Sequence, residues 1–197
     1  MKIIIFEGIC TSGKSSVIQK LKRILSERKL PCNIVTEDEV KKAMFANTDM
    51  TKSILRMEKF LAKNVHSKKN VLFDRLYLSL VDRCEQPDSL FKNLEERIIK
   101  HNASIVFLYI PPRSIKIRLS GASLHRGTKW KNYLDGLGGI EMATTYYSNQ
   151  QKKILRYLKQ CSVPHIIYNT ESRDYEHISE KIYKTLIKPP KDRLPTR

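Results

Sequence analysis

The stretch IIIFEGICTSGKSS, residues 3–16, decides which fold this chain can adopt. A short apolar run ends at Gly8, and after four further residues Gly13 is followed by lysine and serine. The pattern G-x-x-x-x-G-K-[ST] stands directly after a predicted strand and directly before a predicted helix, which is the context that the motif requires. Glycines permit backbone turns that aim successive N–H groups at one phosphate. The stretch therefore predicts a phosphate-binding loop.

The loop predicts binding of a nucleoside triphosphate, which we expect to be ATP, together with Mg²⁺. The Lys14 side chain would reach the β- and γ-phosphates, and the helix that begins near Ser15 adds the positive end of its dipole. The Ser15 hydroxyl is placed to bind the magnesium ion. The residues expected to hold the nucleotide are Gly8, Ser12, Gly13, Lys14, Ser15 and Ser16.

Length and composition predict one cytoplasmic domain. A chain of 197 residues with 41% hydrophobic residues is large enough to bury about two-thirds of its unfolded surface. No stretch approaches the ~18 to 20 apolar residues that span a bilayer, and the run at Ile3 is too short for a signal peptide. The four cysteines are far apart and form no CxxC pair. We therefore expect reduced thiols in an intracellular protein with no membrane partner.

The formal net charge of +17 leaves two interpretations open. A chain this basic attracts anions over a large surface, so its partner could be a nucleic acid. Alternatively, a small polyphosphate ligand binds to a protein whose surface is generally rich in lysine. The lysines are spread along nearly every segment, with few interleaved clusters of arginine and aromatic residues, which favours a solvated coat.

Five apolar runs alternate with helical patterns along the chain. The runs are short, continuous and rich in Ile and Val, which favours strands buried on both faces of a parallel sheet. Between them apolar residues recur at helical spacing, as at Val17, Leu21 and Ile24. The alternation predicts a three-layer α/β/α domain with right-handed crossovers. The predicted strands are Lys2–Phe6, Asn33–Thr36, Asn70–Asp74, Ser104–Ile110 and Pro164–Tyr168.

Two segments interrupt this alternation. Residues 119–139, LSGASLHRGTKWKNYLDGLGG, contain five glycines, the single tryptophan and several basic residues. A mobile flap or lid between two helices fits that composition better than a buried element. The tail KPPKDRLPTR, residues 188–197, has three prolines and high charge. We expect the tail to be extended or disordered, outside a domain that covers residues 1–187.

Elimination favours a small-molecule kinase among the proteins that use such loops. A GTPase would carry an NKxD-type base-reading sequence on a later strand, and the sequence has none. A large helicase or motor needs a longer chain. Two strand ends support the remaining class, because ligands of open α/β sheets bind at the carboxyl ends of the strands.

These strand ends carry the charged groups that phosphoryl transfer needs. The sequence TED follows the second predicted strand and contains Glu37, and the third strand ends in Asp74 and Arg75. A kinase needs a carboxylate to hold or deprotonate the acceptor hydroxyl or to bind magnesium, and cations to cover charge on the moving phosphoryl group. We assign the magnesium role to Asp74, together with Ser15.

The order of these motifs resembles that of the thymidylate kinase and deoxynucleoside kinase families. FEGICTSGKSS is similar to their strand and phosphate loop, TED to their TEP or TREP stretch, and FDRLYLS to their DRY or ERS motif. LYIPPRSIKIRL is similar to the fourth strand and the helix leading into an arginine-bearing lid, and HIIYNT to the last strand. The resemblance covers residues 1–187.

The resemblance implies transfer of the γ-phosphoryl group of ATP to a nucleoside or a nucleoside monophosphate, on a five-stranded parallel sheet. Glu37 resembles the acceptor-side carboxylate of the nucleoside kinases, and Arg75 resembles the arginine that positions the acceptor. Arg118 and Arg126 would be lid arginines that close on the phosphates. The resembling families often form homodimers. The residues expected to help wall the base pocket are Phe45, Met57 and Phe60.

Departures from the family pattern leave the identity of the phosphoryl acceptor undecided. Proline is missing after Glu37, and Leu76 stands where a tyrosine is expected after Asp74 and Arg75. The lid has no tight arginine cluster. Two other functions therefore stand beside the small-molecule kinase. One is a kinase for a polynucleotide 5′-hydroxyl, which the charge favours, and the other is a nucleotide-binding regulatory module that has lost catalysis.

Overall fold

The computed structural model describes residues 1–44, 49–65, 68–84 and 87–188. Its five strands are β1 (Ile3–Glu7), β2 (Cys32–Val35), β3 (Asn70–Asp74), β4 (Ala103–Tyr109) and β5 (His165–Asn169). They form one parallel sheet in the order β2-β3-β1-β4-β5. Every strand end lies within one residue of its predicted position, so the apolar runs located the sheet correctly.

Helices connect every pair of successive strands, as parallel strands require. They are α1 (Lys14–Glu27), α2 (Glu37–Met44), α3 (Met50–Val65), α4 (Leu78–Val81), α5 (Pro87–Lys100), α6 (Pro112–Gly136), α7 (Gly139–Leu158) and α8 (Tyr175–Ile182). A π-helical stretch, Tyr183–Ile187, follows α8. The predicted alternation of strands and helices is thus confirmed.

Burial of both faces explains the continuous apolar run of β1, whose five residues are all buried. Ile3 and Ile5 join the core cluster formed with α3, α5 and α7, whereas Ile4 and Phe6 join the cluster formed with α1 and α8. Successive side chains of a strand point to opposite faces of the sheet, so an apolar strand between two helical layers needs no polar face. The predicted three-layer α/β/α architecture is confirmed.

The apolar spacing of the helices also predicted which faces are buried. In α1, the apolar residues predicted to lie on one face are at most 1% exposed. They are Val17, Ile18, Leu21, Ile24 and Leu25. In α3, Met57 and Leu61 are fully buried. Each such side chain contributes roughly 1.5–3 kcal/mol when it is removed from water, so these faces hold the helices on the sheet.

The strand register brings charged residues together at the carboxyl edge of the sheet. Phe6 of β1 pairs with Asp74 of β3, and Glu7 pairs with Phe107 of β4. Both carboxylates therefore lie at the edge where β1 runs into the phosphate loop. This edge is where open α/β sheets bind ligands, and it positions the candidate site.

The segment predicted as a mobile flap or lid is largely helical, and two of its large side chains are buried. Residues 119–136 belong to α6, which bends where Gly127 has φ 63° and ψ −162°, and a turn at residues 137–138 leads into α7 at Gly139. Trp130 and Leu134 are 8% and 5% exposed and pack in a cluster with Tyr147 of α7. Burial of these large side chains outweighs the cost of about 1 kcal/mol that each helical glycine imposes.

Two further expectations concern the C-terminal tail and the absence of a membrane-spanning segment. The extended tail was predicted for residues 188–197, and all of these except Lys188 lie outside the described residues. Within the described ranges, the helices are too short or too polar to cross a bilayer.

Candidate nucleotide-binding site

Two glycines shape the loop between β1 and α1. Gly8 and Gly13 have φ values of 143° and 90°, which L side chains rarely adopt. A Cβ at Gly8 would lie 2.6 Å from the carbonyl oxygen of Leu108, and one at Gly13 would lie 2.4 Å from the ring of Tyr175. Both positions therefore require glycine for conformation and for space. The loop is held closely between β4 and the start of α8.

Lys14 lies inside this loop rather than on the surface. Its Nζ donates hydrogen bonds to the carbonyl oxygens of Gly8 and Ile9, both at 3.0 Å, and lies 3.5 Å from Ser12 Oγ. Burial, with a smaller effect from the Arg75 guanidinium, lowers the pKa of Lys14 to about 8. The ammonium group is thus held where the loop backbone curls, and its charge is only marginally stable above neutral pH.

Ser15 and Asp74 meet at the start of α1. The Ser15 hydroxyl donates to Asp74 Oδ2 at 3.2 Å, and Asp74 Oδ1 is buried with no hydrogen-bond partner within the described part of the chain. A hydroxyl and one carboxylate with a free oxygen fit Mg²⁺, which in nucleotide sites takes one or two carboxylates and leaves other positions to phosphates and water. No group of three or more His, Cys, Asp or Glu that could hold a metal occurs among the described residues.

Glu37 and Arg75, predicted on separate strand ends, form an ion pair. Arg75 Nε lies 3.1 Å from Glu37 Oε1, although it is not aligned as a hydrogen bond, and Lys41 Nζ lies 2.9 Å from the same oxygen. Burial acts to raise the pKa of Glu37, but Arg75 and Lys41 together bring it below its usual value. Glu37 is therefore ionised at neutral pH. Arg75 has a φ of 72°, which turns the chain sharply after β3.

Glu7 was missed by the sequence analysis as a site residue. It is fully buried, and its Oε1 accepts hydrogen bonds from the backbone N–H groups of Leu76, Tyr77 and Leu78 at 2.8, 3.0 and 3.1 Å. The carboxylate ties the end of β1 to the turn that carries Arg75. Burial raises the pKa of Glu7, against the opposing attraction of Arg75. The available signal was a charged residue completing an otherwise apolar strand directly before Gly8.

Arg118, which the sequence analysis assigned to the lid, is held between the phosphate loop and the segment after β5 and also lines the cavity. It is 4% exposed, and its guanidinium donates to the carbonyl oxygen of Thr11, to Thr170 Oγ1 at 3.2 Å and to the carbonyl oxygen of Thr170. Arg118 therefore braces the phosphate loop against the segment after β5. A role of Arg118 as a lid arginine that closes on phosphates stays a prediction.

Arg126 of α6 lies beside Cys10 of the phosphate loop and lines the cavity there. Its Nη1 is 3.5 Å from Cys10 Sγ, and its guanidinium lies 4.8 Å from the ring centroid of Trp130. Arg126 is exposed, and both it and Trp130 line the same cavity as Lys14. Of the two predicted lid arginines, Arg126 alone is exposed beside the phosphate loop.

The structure does not place Met57 and Phe60, which were predicted to help form the base pocket, at the cavity. Met57 is fully buried in the core, and the Phe60 ring packs edge-on against Phe73 at a centroid distance of 6.4 Å. Neither residue lines the cavity at the phosphate loop. The apolar spacing of α3 reflects packing on the sheet, and a role of Met57 and Phe60 in a base pocket stays a prediction. Phe45 lies outside the described residues.

The cavity that joins these groups has a volume of about 940 Å³. One side is formed by the phosphate loop, including Gly13, Ser15 and Ser16, and another by Glu37 and Arg75. Ser12, which belongs to the loop, is fully buried, and its hydroxyl faces the Lys14 ammonium. Positive and negative groups thus surround a space of small-molecule size.

The fold and the loop together define the class of protein. A five-stranded parallel sheet with helices on both faces, and with a phosphate-binding loop between the central strand and the first helix, is the P-loop NTPase fold. Solved structures that share this fold include two kinases. This is the fold that the sequence predicted.

Three solved structures are similar over nearly the whole chain. The YorR protein from Bacillus subtilis, in complex with phosphorylated GDP, is 20% identical, covers 92% of this chain and 93% of its own, and has a TM-score of 0.61. A deoxyadenosine kinase from M. mycoides, with dCMP and dCDP bound, is 16% identical over 94% and 97%, with a TM-score of 0.54. At these identities the likeness establishes the fold alone.

A third solved structure and one family model are also similar to this chain. The APS kinase CysC of Mycobacterium tuberculosis, in complex with AMPPNP and APS, is 11% identical over 92% of this chain and 94% of its own, with a TM-score of 0.51. A family model described as chromatin associated protein KTI12 matches residues 1–91. A search of curated proteins finds no significant match. Kinase structures and a chromatin-associated family are therefore both similar to this chain.

Proposed function

We propose that this chain is a kinase that transfers the γ-phosphoryl group of Mg·ATP to a nucleoside or a nucleoside monophosphate, like the deoxynucleoside kinase and thymidylate kinase families that it resembles. The observation that carries the proposal is the meeting of two halves at one cavity. The phosphate loop, with Ser15 against Asp74, lies on one side, and the Glu37–Arg75 ion pair lies on the other. Because phosphate loops serve many classes of protein, the acceptor-side pair is what favours a kinase.

The side of the cavity at the phosphate loop, the donor half, would stabilise charge on the phosphates of ATP. Lys14 is positioned by the loop backbone, and Arg126 adds a second cation from α6. Phosphoryl transfer depends mainly on positioning and on electrostatic stabilisation of this kind. Ser15 and Asp74 would hold Mg²⁺, which when bound neutralises phosphate charge. Arg118 acts indirectly, since it fixes the loop against the segment after β5.

The acceptor half would hold the attacked group in line. Glu37 is ionised at neutral pH, so its carboxylate accepts a hydrogen bond from an acceptor hydroxyl. Arg75, braced by the turn that Glu7 ties down, would position the acceptor. A monophosphate acceptor is already an anion and needs no strong base. Replacing Glu37 by glutamine should therefore slow transfer to nucleosides more than transfer to monophosphates.

The test is ATP consumption measured across a panel of nucleosides and nucleoside monophosphates. We expect consumption that depends on the acceptor, and a loss of at least about a hundredfold in turnover for Lys14→Ala with the fold retained. Lys22→Ala is the matched control, because Lys22 is an exposed lysine on the same helix. Wild-type turnover in Lys14→Ala would contradict the proposed role of the loop.

A second candidate is a nucleotide-binding regulatory module without catalysis. The match of residues 1–91 to a chromatin-associated family favours it. The same assay separates it from the kinase: a module would bind Mg·ATP with Lys14-dependent affinity and consume none with any acceptor. The grouping of Glu37, Asp74 and Arg75 at the strand ends favours the kinase.

A third candidate keeps kinase chemistry but takes a polynucleotide 5′-hydroxyl as acceptor, and the net charge of +17 favours it. Affinity for an oligonucleotide would then fall steeply with salt, because each neutralised phosphate releases counterions. Transfer to a 5′-hydroxyl oligonucleotide that exceeds transfer to every monophosphate would replace our first choice by this one.

A further inference from the structure

The segment from Arg75 to Arg83 forms one wall of the cavity, and a single tyrosine in this segment is anchored behind that wall. Arg75, Ser79, Leu80 and Arg83 line the cavity. Tyr77, which stands between them in the chain, is fully buried and is not among the lining residues. Any contribution of the Tyr77 side chain to the site must therefore act through the backbone that it holds.

The Tyr77 hydroxyl belongs to a polar cluster that lies outside the cavity. It donates to Oε1 of Glu95 in α5 at 2.7 Å. The same oxygen accepts from the hydroxyl of Tyr157 in α7 at 2.5 Å and from the thiol of Cys161 at 3.1 Å. Burial keeps the pKa of Tyr77 well above its usual value and raises the pKa of Cys161 to about 12. Both groups therefore keep their protons near neutral pH and act as donors to Glu95.

Packing of the Tyr77 ring does not by itself require the hydroxyl. The ring centroid lies 5.2 Å from that of Phe91 and 6.4 Å from that of Tyr157. A phenylalanine ring would make the same contacts, whereas a buried hydroxyl costs free energy unless it is hydrogen-bonded. A hydrogen bond also has a preferred direction and length. The bond to Glu95 therefore fixes one placement of the ring, where an apolar side chain would only fill the space.

The turn that contains Tyr77 has a backbone conformation that other contacts must hold. Arg75 has a φ of 72°, which costs free energy for a residue other than glycine and persists only where the surroundings over-determine it. The Arg75 N–H donates to the Phe6 carbonyl oxygen at 2.9 Å, and Glu7 Oε1 accepts from the next three N–H groups. Glu7 thus holds the turn from the sheet, and Glu95 holds its Tyr77 side chain from the helical layer.

We propose that Tyr77 is a positioning residue, whose hydrogen bond to Glu95 fixes the turn after β3 and so sets where Arg75 and the start of α4 stand in the cavity. Tyr77 acts through the backbone and touches neither the nucleotide nor the acceptor. The inference rests on the proposed kinase function, and it extends the set of residues on which that function depends to α5, outside the cavity.

Two matched variants of the full chain test whether the hydroxyl fixes the turn. Tyr77→Phe and Tyr157→Phe each remove one hydroxyl that donates to Glu95 Oε1, and each leaves that oxygen two donors. Only Tyr77 belongs to the turn. Hydrogen exchange of the backbone amides of residues 76–78, followed by NMR, should be about tenfold faster in Tyr77→Phe and change by less than about twofold in Tyr157→Phe. Equal acceleration in both variants, or none in Tyr77→Phe, would overturn the inference.

Steady-state kinetics with the preferred acceptor of the panel tests the consequence for the reaction. In Tyr77→Phe the KM for the acceptor should rise about tenfold, because small displacements of a positioning group are costly. The KM for ATP should stay within about twofold, since the carbonyl oxygens of Gly8 and Ile9 hold Lys14 independently of the turn. A loss of folded protein alone would lower kcat and leave both KM values unchanged. An unchanged KM for the acceptor, or equal rises in both KM values, would overturn the positioning role.

Variants of Glu95 test whether Tyr77 acts through this partner. Glu95→Gln keeps a carbonyl oxygen that accepts from the Tyr77 hydroxyl, so the KM for the acceptor should stay within about threefold of the wild-type value. Combining Glu95→Gln with Tyr77→Phe should give the KM of Tyr77→Phe alone, and Glu95→Leu should match it, because each of these changes removes the same contact. Should Glu95→Leu fail to fold, the Gln variant decides: a rise in its KM as large as that of Tyr77→Phe would contradict the role of the shared hydrogen bond.

The outcomes also separate this inference from the function on which it rests. Absence of turnover with every acceptor in the wild-type protein would overturn the proposed kinase, and the exchange rates of residues 76–78 would still decide whether Tyr77 fixes the turn. Wild-type turnover together with unchanged exchange and an unchanged KM for the acceptor in Tyr77→Phe would leave the kinase in place and overturn the positioning role.

Discussion

Single buried charges decide the chemistry of the phosphate loop. Lys14 is held by two carbonyl oxygens at 3.0 Å, and Glu7 accepts three backbone N–H groups at the base of the turn that carries Arg75. Both are removed from water, which disfavours their ionised forms and lowers the pKa of Lys14 while raising that of Glu7. Hydrogen bonds and opposite charges offset part of that cost.

The first prediction concerns the pH dependence of nucleotide affinity. Because a triphosphate favours the charged form of Lys14, whose pKa is about 8, affinity for Mg·ATP should fall as pH rises through 8. For one titrating group the loss between about pH 7 and about pH 9 approaches tenfold. Calorimetric titration measures it. Lys14→Arg stays charged over this range, so its affinity, whatever its absolute value, should not fall in the same way.

At the scale of elements, α6 is the connection whose conformation the sequence did not predict. Ser123 to Lys129 are all exposed, and the helix bends at Gly127 before Trp130 and Leu134 return to the core. The bend sets the direction of both halves of α6, with Arg126 beside Cys10 of the phosphate loop and Trp130 in one core cluster with Ile9. Gly127 alone among the glycines of α6 has a positive φ.

The second prediction tests this bend. Gly127→Ala should lower the free energy of unfolding by about 1 to 2 kcal/mol, because the backbone conformation at Gly127 is accessible essentially to glycine alone. Gly121→Ala is the control: Gly121 has no positive φ and, like Gly127, no atom within 4 Å of its added Cβ. That variant should be neutral or stabilised by up to about 1 kcal/mol. Urea denaturation of both variants gives the comparison, and equal effects would contradict a strained bend.

The whole molecule is dominated by positive charge. Partly exposed ion pairs join α1 and its C-terminal end to α8, as between Lys20 and Glu176 at 2.9 Å and between Arg28 and Glu180 at 3.0 Å. Such pairs contribute on average no more than about 1 kcal/mol each. A net charge of +17 on 197 residues therefore leaves a surplus of repulsion that no local pairing removes.

The third prediction follows from that repulsion. Raising NaCl from about 20 to about 200 mM shortens the screening length from roughly 20 to 7 Å, so the folded state should be stabilised. A gain on the order of 1 kcal/mol corresponds to a rise in Tm of about 2 to 4 °C for a domain of this size. Thermal unfolding followed by circular dichroism measures the shift, with sucrose as an uncharged control solute. A falling Tm would show that attractive ion pairs outweigh the net charge.

The sequence by itself determined the sheet, the phosphate loop and the charged strand ends. Apolar runs between turns located every strand, because a strand buried on both faces needs no pattern other than continuous hydrophobicity. The two glycines before Lys14 determined the loop, since no other residue fits the required backbone conformation. These signals are local in the chain, and so they are readable without the fold.

Tertiary structure alone decided the partners of those groups. It paired Glu37 with Arg75, joined Arg118 to Thr170, and packed Met57 and Phe60 on the sheet, outside the lining of the cavity. Helical spacing gave Met57 and Phe60 an apolar face without saying whether that face meets the sheet or a cavity. Which buried surface meets a ligand depends on contacts between residues far apart in sequence, and periodicity along one element carries no information about such contacts.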